Sequence, residues 1–180
     1  MRVRFALTVI VSIGLVVLFV TEPGGAVNLP AASPEASPAP CPLTQPNGNQ
    51  APGMGHEPGG YGNDALWTTL TMWSERPGVV VVPNDGRIAP DGMINGMKWA
   101  WYRYVSGRLT IEGRRLDAPA PPLEADIPDG YGDSGFQVSG LTFPSAGCWE
   151  ITGRVGDASL TFVVIVAVPA ATDARATPLP

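Results

Sequence analysis

Cys148-Trp-Glu-Ile-Thr-Gly-Arg-Val155, Gly156-Asp157, Ala158-Ser-Leu-Thr-Phe-Val-Val-Ile-Val166 is the stretch that decides the fold. In the first run Trp149, Ile151, Gly153 and Val155 share one parity. In the second, Leu160, Phe162, Val164 and Val166 do the same. A period of two places each set on one side of an extended chain. The two residues between them, Gly then Asp, form the short connection that joins adjacent antiparallel strands. The reading is a β-hairpin with one face turned to a core.

The same pattern continues towards the N-terminus. Ala65 to Trp73 is rich in Thr, Trp and aliphatic residues and reads as a strand, as do Val79–Val82 and Met97–Val105. Pro83-Asn-Asp-Gly86 closes the second of these as a turn. Arg108–Glu112 alternates with Leu109 and Ile111 on one face, and Leu123, Ala125 and Ile127 alternate after a Pro-rich break. Gly135–Phe143 carries Phe136, Val138 and Gly140 on one face, opposite Gln137 and Ser139. Seven or eight short strands, about ten residues apart over 61–168, predict an all-β, antiparallel β-sandwich.

Composition sets the boundaries. The 180 residues include 22 Gly and 20 Pro, nearly twice the usual combined share of about 12%. That excess excludes a helical bundle or coiled coil. Residues 22–60 hold nine Pro and seven Gly in 39 positions, too few apolar groups to offset the entropy of ordering, and read as a flexible linker. Residues 169–180 read as a disordered tail. Ahead of the linker, Arg2 and Arg4 precede the uncharged, apolar run Phe5–Val20. Residues 1–21 are therefore expected to be a hydrophobic helix, either a cleaved export signal or a retained membrane anchor. Both alternatives place the domain outside the cytoplasm, secreted or tethered at the cell surface. The net charge is −5 with no basic cluster, so nucleic acid is excluded as a partner, and the membrane is met only through the N-terminal segment.

Phe143-Pro-Ser-Ala-Gly-Cys-Trp-Glu-Ile-Thr152 resembles the penultimate strand of immunoglobulin-like domains, with a Pro/Gly corner before an aromatic-rich strand. The chain from Tyr61-Gly-Asn-Asp-Ala-Leu-Trp67 to Gly147-Cys-Trp-Glu-Ile-Thr-Gly-Arg154 is similar to uncharacterised exported bacterial proteins with a single immunoglobulin-like domain. The resemblance spans roughly 41–168. It implies a fold and a compartment, and no activity.

Cys41 and Cys148 are the two cysteines, so an exported chain has one internal pairing to make. With Trp149 and Ile151 facing the core, Cys148 faces away from it. The bridge is expected to tie Cys41-Pro-Leu-Thr44 across the outer surface of the sheet, covering Val163 and Ile165. Closing so long a loop is worth on the order of 4.7 kcal/mol in the chain-entropy model.

Lys98-Trp-Ala-Trp-Tyr-Arg-Tyr104 carries the strongest recognition signal. Trp99, Trp101 and Arg103 share one strand face, and Ala100, Tyr102 and Tyr104 the other. One aromatic set must lie outside the core. Trp99, Trp101, Tyr102 and Tyr104 are the candidate surface for a protein or polysaccharide partner. The alternative makes Trp99 or Trp101 the core tryptophan, with the 119–123 loop covering the rest. Gly132-Asp-Ser-Gly135 resembles the nucleophile motif of trypsin-like proteases, but His56, the one histidine, sits in the Gly-rich 53–60 segment, which has nothing to hold it at Ser134. No catalytic residue is assigned. Met54, His56, Met72, Met93 and Met97 offer soft ligands for copper, yet they are scattered, and neither a metal site nor a cofactor is assigned. The expectation is a non-enzymatic binding or structural module, with a small-ligand or copper-binding module as the alternative.

Overall fold

A computed structural model describes residues 40–169. The expected hydrophobic helix, the linker up to residue 39 and the tail from residue 170 lie outside the described residues. Those described form nine strands and no helix. The strands are β1 (Gly60–Gly62), β2 (Leu66–Thr69), β3 (Val79–Val81), β4 (Ile94–Arg103), β5 (Leu109–Arg115), β6 (Glu124–Asp126), β7 (Gly135–Phe143), β8 (Gly147–Val155) and β9 (Ala158–Ala167). They make a five-stranded sheet, β1-β2-β4-β7-β6, and a four-stranded sheet, β3-β9-β8-β5. All pairings are antiparallel except β3 on β9. Two largely antiparallel sheets around one apolar core are consistent with a β-sandwich.

The hairpin forms as its sequence dictates. Val155 pairs with Ala158, and Gly156, at φ +57°, occupies the position where a two-residue hairpin turn needs positive φ. Trp149, Ile151, Phe162 and Val164 point into the core, where Phe162 meets the other sheet. It stacks on Trp99 at 5.6 Å between centroids and lies 5.7 Å from Trp101. Phe143 and Trp149 make an edge-to-face pair across the far end of the same interior. The polar groups of the core tryptophans are paired. Trp99 Nε1 donates to Thr68 Oγ1, and Trp101 Nε1 to Ser139 Oγ. These bonds let Thr68 and Ser139 be fully buried.

On β7 it is Gln137, Ser139, Leu141 and Phe143 that face inward, leaving Phe136 and Val138 outside. The polar pair tolerates this because Gln137 Nε2 donates to Pro128 O and Ser139 accepts from Trp101.

The linker expectation is corrected over residues 40–60, which belong to the folded domain. Gly60–Gly62 is a strand, and Asn47 bonds both backbone groups of Gly62 through its amide. Gln50 does the same with Glu57. Trp67, on the outer face of β2, is fully buried under this segment and donates its indole N–H to Asn49 O. Burying Trp67 offsets part of the cost of ordering this segment, and the Asn47 and Gln50 hydrogen bonds and the Cys41 bridge add to it, none of which composition weighs.

Cys41 and Cys148 are joined by a disulfide. Cys148 is buried on the outer side of β8, in register with Ile165, so the bridge lies on the sheet surface rather than between the sheets. Beside it, Arg115 Nε donates to Asp117 Oδ1 at 2.6 Å while Arg115 Nη1 reaches Ser145 Oγ. The Arg115 hydrogen bond is the main cause holding the Asp117 carboxyl below its ordinary value, with the Cys148 backbone adding to it. A depressed folded pKa contributes stability above the unfolded value, and that stability is lost as pH falls through the folded one. Asp117→Asn should therefore destabilise the domain at neutral pH and flatten the acid limb of its stability profile. An unchanged acid limb in pH-dependent urea unfolding would remove Asp117 from that limb.

Candidate functional site

One end of the outer face of the five-stranded sheet is apolar, while Lys98, Glu124 and Asp126 stand at its other end. Register sets Tyr102 opposite Phe136 and Ala100 opposite Val138. Tyr102 and Tyr104 lie 5.0 Å apart between centroids, and Tyr131 meets Phe136 edge-on at 6.2 Å. Phe136 and Tyr104 are each 38% exposed, and Met72 and Tyr131 each 37%. Beside them runs a groove of about 340 Å³ lined by Met54, Met72, Trp73, Trp99, Ala100, Phe136 and Val138, with Lys98 its one charged lining residue. Its walls are fixed. Trp73 donates its indole N–H to Lys98 O and carries the Arg87 guanidinium 5.5 Å from its ring centroid. Tyr104 donates its hydroxyl to Gln50 O, and burial first, then neighbouring Tyr102, holds its pKa above the ordinary phenol value.

The candidate surface read from sequence divides accordingly. Trp99 and Trp101 are withdrawn from it, because both face inward and are at most 1% exposed. Both are core tryptophans under the opposing sheet through Phe162, while Tyr102 and Tyr104 stay on the outside and the 119–123 loop expected over them instead joins β5, Leu123 N donating to Gly113 O. Sequence reasoning missed Phe136, Val138, Met54, Met72 and Trp73 as members of the same face. The available signal was parity: Phe136 and Val138 alternate with Leu141 and Phe143 in the opposite phase.

The four-stranded sheet presents a different outer face. Arg114 Nε meets Glu150 Oε1 at 2.7 Å and Arg154 Nη2 meets Glu112 Oε1 at 2.9 Å, with Thr152 and Thr161 hydroxyls bonded between them. These exposed pairs satisfy one another and add little stability.

Arg103 lies at one end of the sandwich, on the core parity of β4, and is 2% exposed. Its Nη1 donates to Gly107 O and Asp133 O, and its Nη2 to Gly132 O and Tyr131 O. None of the ion pairs among the described residues involves it. Arg103 Nε is also the one buried side-chain nitrogen or oxygen among the described residues without a partner. The residue lines a cavity of about 220 Å³ together with Arg108, Asp129, Asp133 and Gln137. All four terminal N–H groups are spent on backbone, so the guanidinium clasps two loops and has no terminal donor to offer a ligand.

The remaining sequence signals separate in space. Ser134 stands in the loop that Arg103 holds, at the Leu66–Arg103 end of β2, whereas His56 sits beside Glu57, which accepts from Thr69 and Thr71 at the other end. Met54 and Met72 share the apolar groove, but Met97 is fully buried in the core. Among the described residues no group of three or more His, Cys, Asp or Glu is placed to hold a metal ion. Compared with known proteins, the chain matches no family model, no curated protein and no solved structure.

Proposed function

We propose that the chain is an exported, immunoglobulin-like binding module, non-enzymatic, that docks a protein partner on the outer face of its five-stranded sheet. Strand order supports the immunoglobulin-like reading. β2-β4-β7-β6 and β5-β8-β9 follow the two-sheet arrangement of constant-type domains, four strands against three. The chain departs from that pattern in its disulfide, which joins β8 to the N-terminal segment instead of linking the sheets. A surface disulfide supports export, secreted or tethered through residues 1–21.

The observation that carries the docking surface is the contrast between the two outer faces. One is a self-satisfied lattice of ion pairs. The other gathers Tyr102, Tyr104, Phe136, Met72 and Val138 around a groove whose exposed lining is almost all carbon, with Lys98 its one charged member. Aromatic residues and Met are the types enriched where proteins meet, and a carbon-lined groove accepts an apolar side chain as anchor. A sugar would need several hydrogen-bonding groups, and Lys98 alone supplies them here.

Photo-crosslinking in cells that make the full chain tests the proposal. A benzophenone amino acid at position 102 or 136 should give a protease-sensitive adduct, and one at position 112, on the charged face, should not. Equal adducts from both faces, or none from 102 and 136, would overturn it. An adduct that polysaccharide hydrolases remove and protease does not would overturn the protein partner.

A further inference from the structure

β9 is nearly an edge strand. β3 pairs only with Ile165–Ala167, so the stretch from Ala158 to Val164 has no strand beside it on that side. Its sequence, Leu160-Thr-Phe-Val-Val-Ile-Val-Ala167, carries no charge, no Pro and no Gly. Short segments of high β-propensity and no charge are the ones that pair with copies of themselves when their edge is open. Here side chains and loop backbone take the edge's carbonyls and, from Val163 onward, its amides as well. Ser159 O accepts from Asn63 Nδ2 at 2.8 Å, and Thr161 O from the Tyr61 hydroxyl at 3.2 Å. At Val163 both backbone groups are taken by one residue: Thr44 N donates to Val163 O at 3.0 Å, and Val163 N donates to Thr44 Oγ1 at 2.8 Å. Ile165 N then donates to Gly78 O.

Thr44 makes those bonds without belonging to a strand, three residues from Cys41, whose disulfide anchors it to β8. We propose that residues 41–44 are an edge cap held by the disulfide, and that its release opens β9 to antiparallel pairing with β9 of a second copy. Such a pairing is self-complementary, because it sets one uncharged run of apolar residues and Thr161 against its own reverse and places no like charges opposite each other. A dithiol reductant supplies the release. Its thiolate attacks Cys41 Sγ, the half-exposed partner, and Cys148 leaves as a thiolate that takes a proton. The second thiol then displaces Cys41, so the reductant ends as a disulfide and the chain as two thiols.

The test compares the exported chain with its Cys41→Ser/Cys148→Ser variant by light scattering and amide exchange. The oxidised protein should be monomeric with the Val163 amide protected. The variant should lose that protection at least tenfold and associate as its concentration rises. Adding Val163→Lys, which sets a charge opposite Glu150 of β8 and on the pairing edge, should return it to monomer. Thr44→Pro, with the disulfide intact, removes both groups that meet Val163 and should associate too, which keeps the test sound if the cysteine-free chain unfolds. A monomeric cysteine-free variant with Val163 still protected overturns the cap, as does association that Val163→Lys leaves unchanged.

Discussion

Arg103→Met should lower the domain's stability by about 3 kcal/mol and loosen both loops at its end of the sandwich. Four backbone carbonyls, at Gly107, Tyr131, Gly132 and Asp133, accept from one guanidinium. Hydrogen bonds from a charged donor are worth roughly 1.5–3 kcal/mol each, and water recovers part of that where the loops are exposed. Methionine keeps the aliphatic length and fills the core-facing volume, so the loss is one of polar clasping rather than of packing. Arg103→Lys should recover only part, since an ammonium has three donors and no planar fork to span two loops. The 129–134 segment should also become the first site of limited proteolysis, because Gly130, Gly132 and Gly135 at positive φ give it little other restraint. Urea unfolding of the full chain measures the first effect. An Arg103→Met variant within about 0.5 kcal/mol of the parent would mean the loops hold themselves.

How much of this was legible in the sequence depends on where each residue finds its partner. The β8–β9 hairpin was, because alternation and a two-residue turn lie within twenty residues of each other. The disulfide was, because two cysteines have one pairing and the parity of Trp149 puts Cys148 outside. The phase of β7 was not, since its first half sets apolar Phe136 and Val138 against polar Gln137 and Ser139. Its second half, Leu141 and Phe143, decides the phase, and the polar pair follows inward because Pro128 O and Trp101 Nε1 meet it there. Residues 41–60 misled for a related reason. Their Gly content serves tight turns at Gly48, Gly53 and Gly55, and their order comes from Asn47, Gln50 and the buried Trp67, partners that composition does not weigh. The candidate face inherited both difficulties. Tyr102 and Tyr104 were visible in their own stretch, whereas Phe136 joins them only through the sheet's lateral order, and Met54 and Met72 only through loops folded beside it.

Gly153→Ala should cost about 2 kcal/mol, although alanine is ordinarily the better residue in a strand. A Cβ built on Gly153 lies 2.5 Å from Trp101 Cζ3 and 2.8 Å from Cη2. The indole has no room to retreat. It is fully buried, its N–H is committed to Ser139, and Phe162 lies 5.7 Å away between centroids. Overpacking a dense core typically costs 1–3 kcal/mol, which outweighs the few tenths to 1 kcal/mol gained by restricting the unfolded chain. Trp101→Phe removes the outer part of the ring at a similar cost, from lost volume and the Ser139 bond. The two costs share a cause and should not add. Where the phenyl ring vacates the space the new methyl needs, the double variant should be at least 1 kcal/mol more stable than the sum of the single effects predicts. Simple additivity in a double-mutant cycle would mean that the domain accommodates the methyl by moving β8 and not by pressing on Trp101. Glycine at this position is thus a packing residue, chosen so that one sheet's backbone can touch the other sheet's tryptophan.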